Sequence, residues 1–235
     1  MRILALDAAT EACSVALWAD DQVVVRTLES GRNSAPKILS MTDEVLAEAQ
    51  VALSMLDGIA ASIGPGSFTG VRISVAVAQG LAFGAGLKVV PVTTLEALAF
   101  TVLGESGIRA IAGIRAVACL DARMGEVYWG CFAADTVRGV IECGASRVGS
   151  PDSVALSPHG PHVGIGRGFS AYPKLAGMLG VELGSAQARA LPNAREIARL
   201  GALRFAEGGG IDPADLMPLY LRDKVALTEA ERAQA

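Results

Sequence analysis

Two aspartates stand where strand-like runs end. Asp7 closes the apolar run 3–6 and is followed by Ala8-Ala9-Thr10, and Asp121 closes 117–120 and is followed by Ala122-Arg123-Met124-Gly125. A carboxylate in a tight turn between two strands can hold a metal-bound phosphate when the next residues leave their amides open, which glycine does best. Here Ala9 and Arg123 stand where open backbone is needed, which damages both turns as phosphate cradles. The plainer reading is that each Asp bonds the amides of its own turn. Asp7 and Thr10 remain weak nucleotide candidates. The second chemical feature is Gly64-Pro65-Gly66-Ser67-Phe68-Thr69-Gly70-Val71-Arg72, between a buried strand candidate and a helix. Amides at a helix N-terminus favour an anion, but the glycine spacing is not that of a Walker A loop and no Lys-Ser/Thr follows. Pro65 and Gly66 make a turn, Ser67 or Thr69 caps the helix, and Phe68 is presented at a surface. Three readings stay open: a structural turn, a partner contact, or an anion site at Gly66, Ser67 and Thr69.

Other catalytic equipment is sparse. His159 and His162 are the only histidines, with Gly160 and Pro161 between them, so they cannot form a helical ligand pair, and no carboxylate motif accompanies them. No Gly-x-Ser-x-Gly elbow occurs. The four cysteines (13, 119, 131 and 143) contain no C-x-x-C pair and read as reduced, mostly buried thiols. The glycines of Gly164-Ile165-Gly166-Arg167-Gly168 form only a weak strand-turn-helix pattern. With 51% hydrophobic and 19% charged residues the chain is not disordered, and a net charge of -4 argues against a broad phosphate-binding surface.

The elements that must position these residues follow from periodicity. Residues 3–7, 13–18 and 22–28 read as an antiparallel meander. Residues 34–49 read as a helix capped by Ser34, with Pro36 in its first turn. A strand at 57–63, a helix at 71–83, a strand at 88–92 and a helix from Thr93/Thr94 to 103 follow. The order of strand, Asp, turn, strand, strand then recurs from residue 110, so two α/β halves meet near residue 104. A third strand over 138–147, a helix over 193–207 and a frayed tail of about a dozen residues complete the chain.

The helix after the glycine loop carries small residues on successive turns (Ser74, Ala76, Ala78, Gly80, Ala82), which permits close helix packing. Together with Ile38, Met41 and Val45 on the preceding helix, it offers more apolar surface than one sheet face needs. Ile38, Met41, Val45, Phe68, Val71, Ser74, Val75 and Ala78 are therefore the partner-interface candidates. Mean hydropathy is high at +0.43, but the longest uncharged stretch, 73–87, holds about fifteen residues against the roughly 20 needed to span a bilayer. Asp7 interrupts any signal-peptide core. These features place the chain in the cytoplasm, off the membrane.

Residues 3–17 and 64–73, the run Leu120-Asp121-Ala122-Arg123-Met124-Gly125-Glu126-Val127-Tyr128, and the ending Pro218-Leu219-Tyr220-Leu221-Arg222 resemble the TsaB (YeaZ) family over nearly the whole chain. The resemblance implies an α/β, actin-like/Hsp70-like (ASKHA) fold of two RNase H-like lobes, with mixed sheets flanked by helices. The lobes would be 1–103, bearing the partner-binding helices, and 104–235, whose end packs back on the first. It implies a non-catalytic scaffold or activating subunit in the formation of threonylcarbamoyladenosine beside the anticodon of tRNAs reading A-starting codons. Its partners would be a catalytic TsaD paralogue, a TsaE-like ATPase and a TsaC-like enzyme upstream, with tRNA met only through the complex and a homodimer when alone. No cofactor of its own is implied, with ATP or ADP an option at the complex interface, and no metal. Metallopeptidase activity is a label attached to relatives of TsaD that the residues here do not favour. One departure is Asn33 before Ser34, where the family often has His. The alternative is an independent ATP-binding kinase or ATPase of the same fold, which would need the working phosphate turns that Ala9 and Arg123 replace.

Overall fold

The computed structural model describes residues 1–20, 22–29, 37–104, 113–156 and 160–222. Ser34, Pro36, the pair Asn33-Ser34, His159 and the tail lie outside them.

The meander forms from three apolar runs, of which the first two are buried almost throughout. β1 (Arg2–Asp7) pairs antiparallel with β2 (Ala12–Ala19), which pairs with β3 (Gln22–Glu29). After α1 (Ile38–Glu48), β4 (Gly58–Ser62) joins β1 in parallel. After α2 (Phe68–Ala85), β5 (Lys88–Val92) joins β4 in parallel, giving sheet order β3-β2-β1-β4-β5. α3 (Thr94–Leu103) starts at a capping box in which Thr93 and Glu96 satisfy each other's amides. The second half repeats the plan. β6 (Arg115–Arg123) and β7 (Glu126–Asp135) form a hairpin, and β7 pairs with both β8 (Gly139–Glu142) and β9 (Arg147–Gly149). The single third strand expected over 138–147 is thus two short ones. β10 (His162–Ile165) pairs in parallel with β6, as β4 does with β1. Short helices α4 (Gly168–Ala171), α5 (Leu175–Leu179) and α6 (Ser185–Ala188) precede α7 (Ala194–Ala206), whose first amides are capped by Asn193 and Ser14.

The two sheets exchange helices. α3 packs on sheet two, while α7 returns to pack on sheet one, and α3 and α7 touch each other between the sheets. One apolar core therefore runs from Ile3 and Ala60 through Leu98 and Ile197 to Ala118 and Phe132. A second core lies under α1 and α2, and a third lies on the outer face of sheet two. α2 is long and apolar enough by composition to cross a membrane. Its Val71, Ser74, Val75, Ala78 and Ala82 face sheet one and are buried.

Candidate functional site

The register of β1 against β4 sets Asp7 beside Ser62, and Asp7 is fully buried. Its Oδ1 accepts the Ala9 amide at 3.0 Å. Asp121 does the same in the second hairpin, accepting the Arg123 amide at 2.9 Å. Burial pushes the Asp7 carboxyl up to about 6, against a smaller lowering by the Ala9 amide and the nearby Ser62 hydroxyl. That hydroxyl does not reach bonding geometry, for Asp7 Oδ2 and Ser62 Oγ both lack a hydrogen-bond partner. Burial, helped by the carboxylates of Asp7 and Asp121, also pushes the Cys13 and Cys119 thiols up to about 12, which removes them as nucleophiles.

The backbone that would have to open toward phosphate is already engaged. Ala9 O accepts the Ser67 amide at 2.6 Å, and the Ala8 amide donates to Ser74 Oγ at 2.7 Å. Gly66 and Gly70 permit this approach, because a Cβ on either would overlap the carbonyl oxygen of Ala9 or Ala8. The Gly64–Pro65 peptide is cis, and Thr94 Oγ1 donates to the Pro65 carbonyl. Ser67 is the residue that caps α2, accepting the Gly70 amide at 3.4 Å, whereas Thr69 lies exposed within the helix. The loop thus docks the β1–β2 turn onto α2 through Ser67 and the close approach of Gly66, while Asp7 bonds its own turn through Oδ1 and keeps Oδ2 without a partner.

Between the two hairpin turns lies a cleft of about 660 Å³, bordered by Thr10, Ser67, Tyr128 and Arg167. Thr10 Oγ1 is buried there without a partner. Both cations of the cleft are matched by carboxylates. Arg123 reaches Glu11 at 3.2 Å and Asp121 at 3.0 Å, and Arg167 reaches Glu29 at 3.1 Å and Glu11 at 4.0 Å. A triphosphate would have to displace these pairs to find a cation. Arg167, from the glycine run, also donates to the Arg189 carbonyl. The neighbouring Gly166 and Gly168 lie against Cys119 of β6, which makes that run a close backbone crossing. The pairing of Glu11 and Glu29 with Arg123 and Arg167 is the part of the site that the sequence reading missed. They meet across more than a hundred residues of chain, and nothing in their spacing signals it.

The interface candidates need correction. Ile38, Met41, Val45, Val71, Ser74, Val75 and Ala78 are buried in the core beneath α1 and α2, and only Phe68, 54% exposed, faces outward. The helical stripe selected from sequence is the core-facing one. The outward face of α2 is made by Arg72, Ala76, Gly80, Phe83 and Gly84, and on α1 Leu39 is exposed. Among the described residues, no group of three or more His, Cys, Asp or Glu is placed to hold a metal ion.

The sequence profile of the TsaD family, described as tRNA N6-adenosine threonylcarbamoyltransferase, matches residues 28–143. The chain is 36% identical to the tRNA threonylcarbamoyladenosine biosynthesis protein TsaB of Escherichia coli K12, across 96% of each chain. The chain belongs to the TsaB family. The TsaB of Haemophilus influenzae is 34% identical, across 96% of this chain and 95% of its own. YeaZ from Pseudomonas aeruginosa superposes with a TM-score of 0.82 at 35% identity, covering 94% of this chain and 99% of its own. A second Pseudomonas aeruginosa structure, described as similar to peptidase YEAZ, gives 0.82 at 36% identity with the same coverage. With four strands of each sheet in matching order, β3-β2-β1-β4 and β8-β7-β6-β10, the chain has the ASKHA architecture. In this family member the Ala8 and Ala9 amides of the first turn and the Arg123 amide of the second are bonded to the chain's own groups.

Proposed function

We propose that this chain is the non-catalytic, activating subunit of a tRNA threonylcarbamoyladenosine-forming complex, working in the cytoplasm beside a TsaD-like catalytic paralogue. One observation carries the reading. The backbone of Ala8 and Ala9 is bonded to Ser74 and Ser67, and Glu11 lies between Arg123 and Arg167, where a nucleotide-handling member of the fold would need open amides and free cations. The chain then contributes a surface and no reacting group. A TsaE-like ATPase joins the pair, a TsaC-like enzyme supplies the threonylcarbamoyl donor, and tRNA is held by the complex. Any ATP or ADP belongs to the interface. No observation favours an independent kinase or ATPase.

The pairing surface in this reading is the outward face of α2, with Leu39 of α1 beside it, and without its partner the chain self-associates there. Gly80 lies on that face with nothing within 4 Å of a Cβ placed on it. Gly80→Arg should therefore leave the melting temperature unchanged or higher, since Gly is about 1 kcal/mol worse than a good helix former in a helix interior. It should also abolish co-elution with the TsaD-like subunit in size-exclusion chromatography. Undiminished co-elution would place the pairing surface elsewhere. Ser74→Trp and Ala78→Trp are unsuitable probes, because both residues are fully buried.

A further inference from the structure

Residues 211–222 run from one edge of sheet one to the tip of the β6–β7 hairpin. Ile211 exchanges two backbone bonds with Val89, at 2.8 and 3.0 Å. Leu216 is fully buried, and the Gln79 amide donates to the carbonyls of Pro213 and Leu216 at 3.0 and 3.1 Å. The Leu219 amide donates to Ile63 O at 2.8 Å, and Arg222 reaches the Ala122 carbonyl at 3.1 Å and the Glu126 carboxylate. This strap delivers Tyr220 to the first turn of α2. Its ring centroid lies 6.2 Å from that of Phe68, and the Arg72 guanidinium sits 3.2 Å over Phe68 and 5.2 Å from Tyr220. Both rings are about half exposed, at 54% and 49%.

We propose that Arg72, held against Phe68 and Tyr220, is the ion-pairing anchor of the α2 face and receives a carboxylate from an acidic segment, flanked by apolar residues, of the partner protein. The proposal rests on the reading that this face is the pairing surface. The guanidinium lies over the Phe68 ring with Tyr220 to its side, so one flat face is covered and the N–H edge turned away from Tyr220 is left for an in-plane bond to a carboxylate. Among the described residues no carboxylate comes within ion-pair distance of Arg72, and its hydrogen bond is a long one of 3.4 Å to the Phe68 carbonyl. It is the one charged residue in α2, whose outward face beyond it is Ala76, Gly80, Phe83 and Gly84. The complementary surface is an apolar stripe ending in one acid. Nucleic acid fits less well, because the neighbouring Arg222 and Arg123 are already paired with Glu126 and with Glu11 and Asp121. A second copy offers no acid from α2 and would have to present one from α1.

The test is calorimetric titration of the intact chain with the TsaD-like subunit at low and high salt, for the wild type, Arg72→Ala, Arg72→Lys, Tyr220→Ala and Gly80→Arg. Arg72→Ala should weaken binding roughly 10- to 100-fold and flatten its salt dependence, with Arg72→Lys and Tyr220→Ala falling between. Melting curves should match the wild type for Arg72→Ala, whose side chain is exposed. If Arg72→Ala binds within about twofold of wild type while Gly80→Arg does not bind, the anchor is wrong and the pairing surface stands. If neither variant loses affinity, the surface itself is wrong. Two further outcomes overturn the assigned occupant. In one, Arg72→Ala loses self-association by sedimentation and keeps the TsaD-like subunit, so the acid belongs to a second copy. In the other, the chain alone binds tRNA through Arg72, so the ligand is phosphate.

Discussion

Asp7→Asn should make the protein more stable at neutral pH and leave tRNA modification intact. The folded state raises the Asp7 carboxyl from its ordinary 3.8 to about 6 by burying it. A group whose pKa is raised on folding binds its proton more tightly in the native state. Its favourable contribution is complete below pH 3.8 and is lost as pH rises through 6. A shift of this size corresponds to about 3 kcal/mol of stability given up by pH 7. Asn removes the titration and keeps an oxygen for the Ala9 amide. Thermal melts should show the variant about 5–10 °C above wild type at pH 7.5, with the advantage disappearing by pH 4. Equal pH profiles for the two proteins would contradict the buried, ionised state assigned to Asp7. If Asp7→Asn were folded and partner-bound yet lost modification by orders of magnitude, the carboxylate would have a chemical role.

Gly70→Ala tests the docking of the turn on α2. Its Cβ would overlap the Ala8 carbonyl oxygen and stand 3.0 Å from the Ala8 carbonyl carbon. Backbone cannot swing aside as the end of a long side chain can, so the turn must withdraw. The bonds from Ala8 N to Ser74 and from Ser67 N to Ala9 weaken with it. Overpacking and the loss of one or two buried bonds together cost about 3 kcal/mol or more. A melting temperature lowered by roughly 6–12 °C is expected. The control is Gly80→Ala in the same helix, which meets no neighbour and should stabilise slightly. If Gly70→Ala melted with the wild type, the turn would not be held against the helix in solution.

Much of this architecture could be read from the chain because its signals are local. The apolar runs of β1 and β2, the aspartate that ends β1 and the one near the end of β6, and the caps read at Ser67 or Thr69 and at Thr93 or Thr94 each involve residues a few positions apart. The face of α2 could not be read. Almost every residue of Phe68–Ala85 is small or apolar, so helical periodicity leaves the inward side undetermined. α1 has a clearer pattern, with Ile38, Met41 and Val45 inside and Leu39 outside, so the apolar stripe read from its sequence is the core-facing one. The remaining features are long-range. Glu11 meets Arg123, Asn193 meets Thr27, and Tyr220 meets Phe68 only after the two halves have folded against each other. One sequence carries no spacing rule for such pairs.

In the proposed function this chain enables a modification that it does not itself perform. The direct measurement is threonylcarbamoyladenosine formed on tRNA in a purified mixture of TsaD-, TsaE- and TsaC-like proteins, with and without this chain. Modification is expected to require the chain, and the chain with only tRNA, ATP and the threonylcarbamoyl donor is expected to be inert. Equal modification without the chain, or modification by the chain alone, would contradict it.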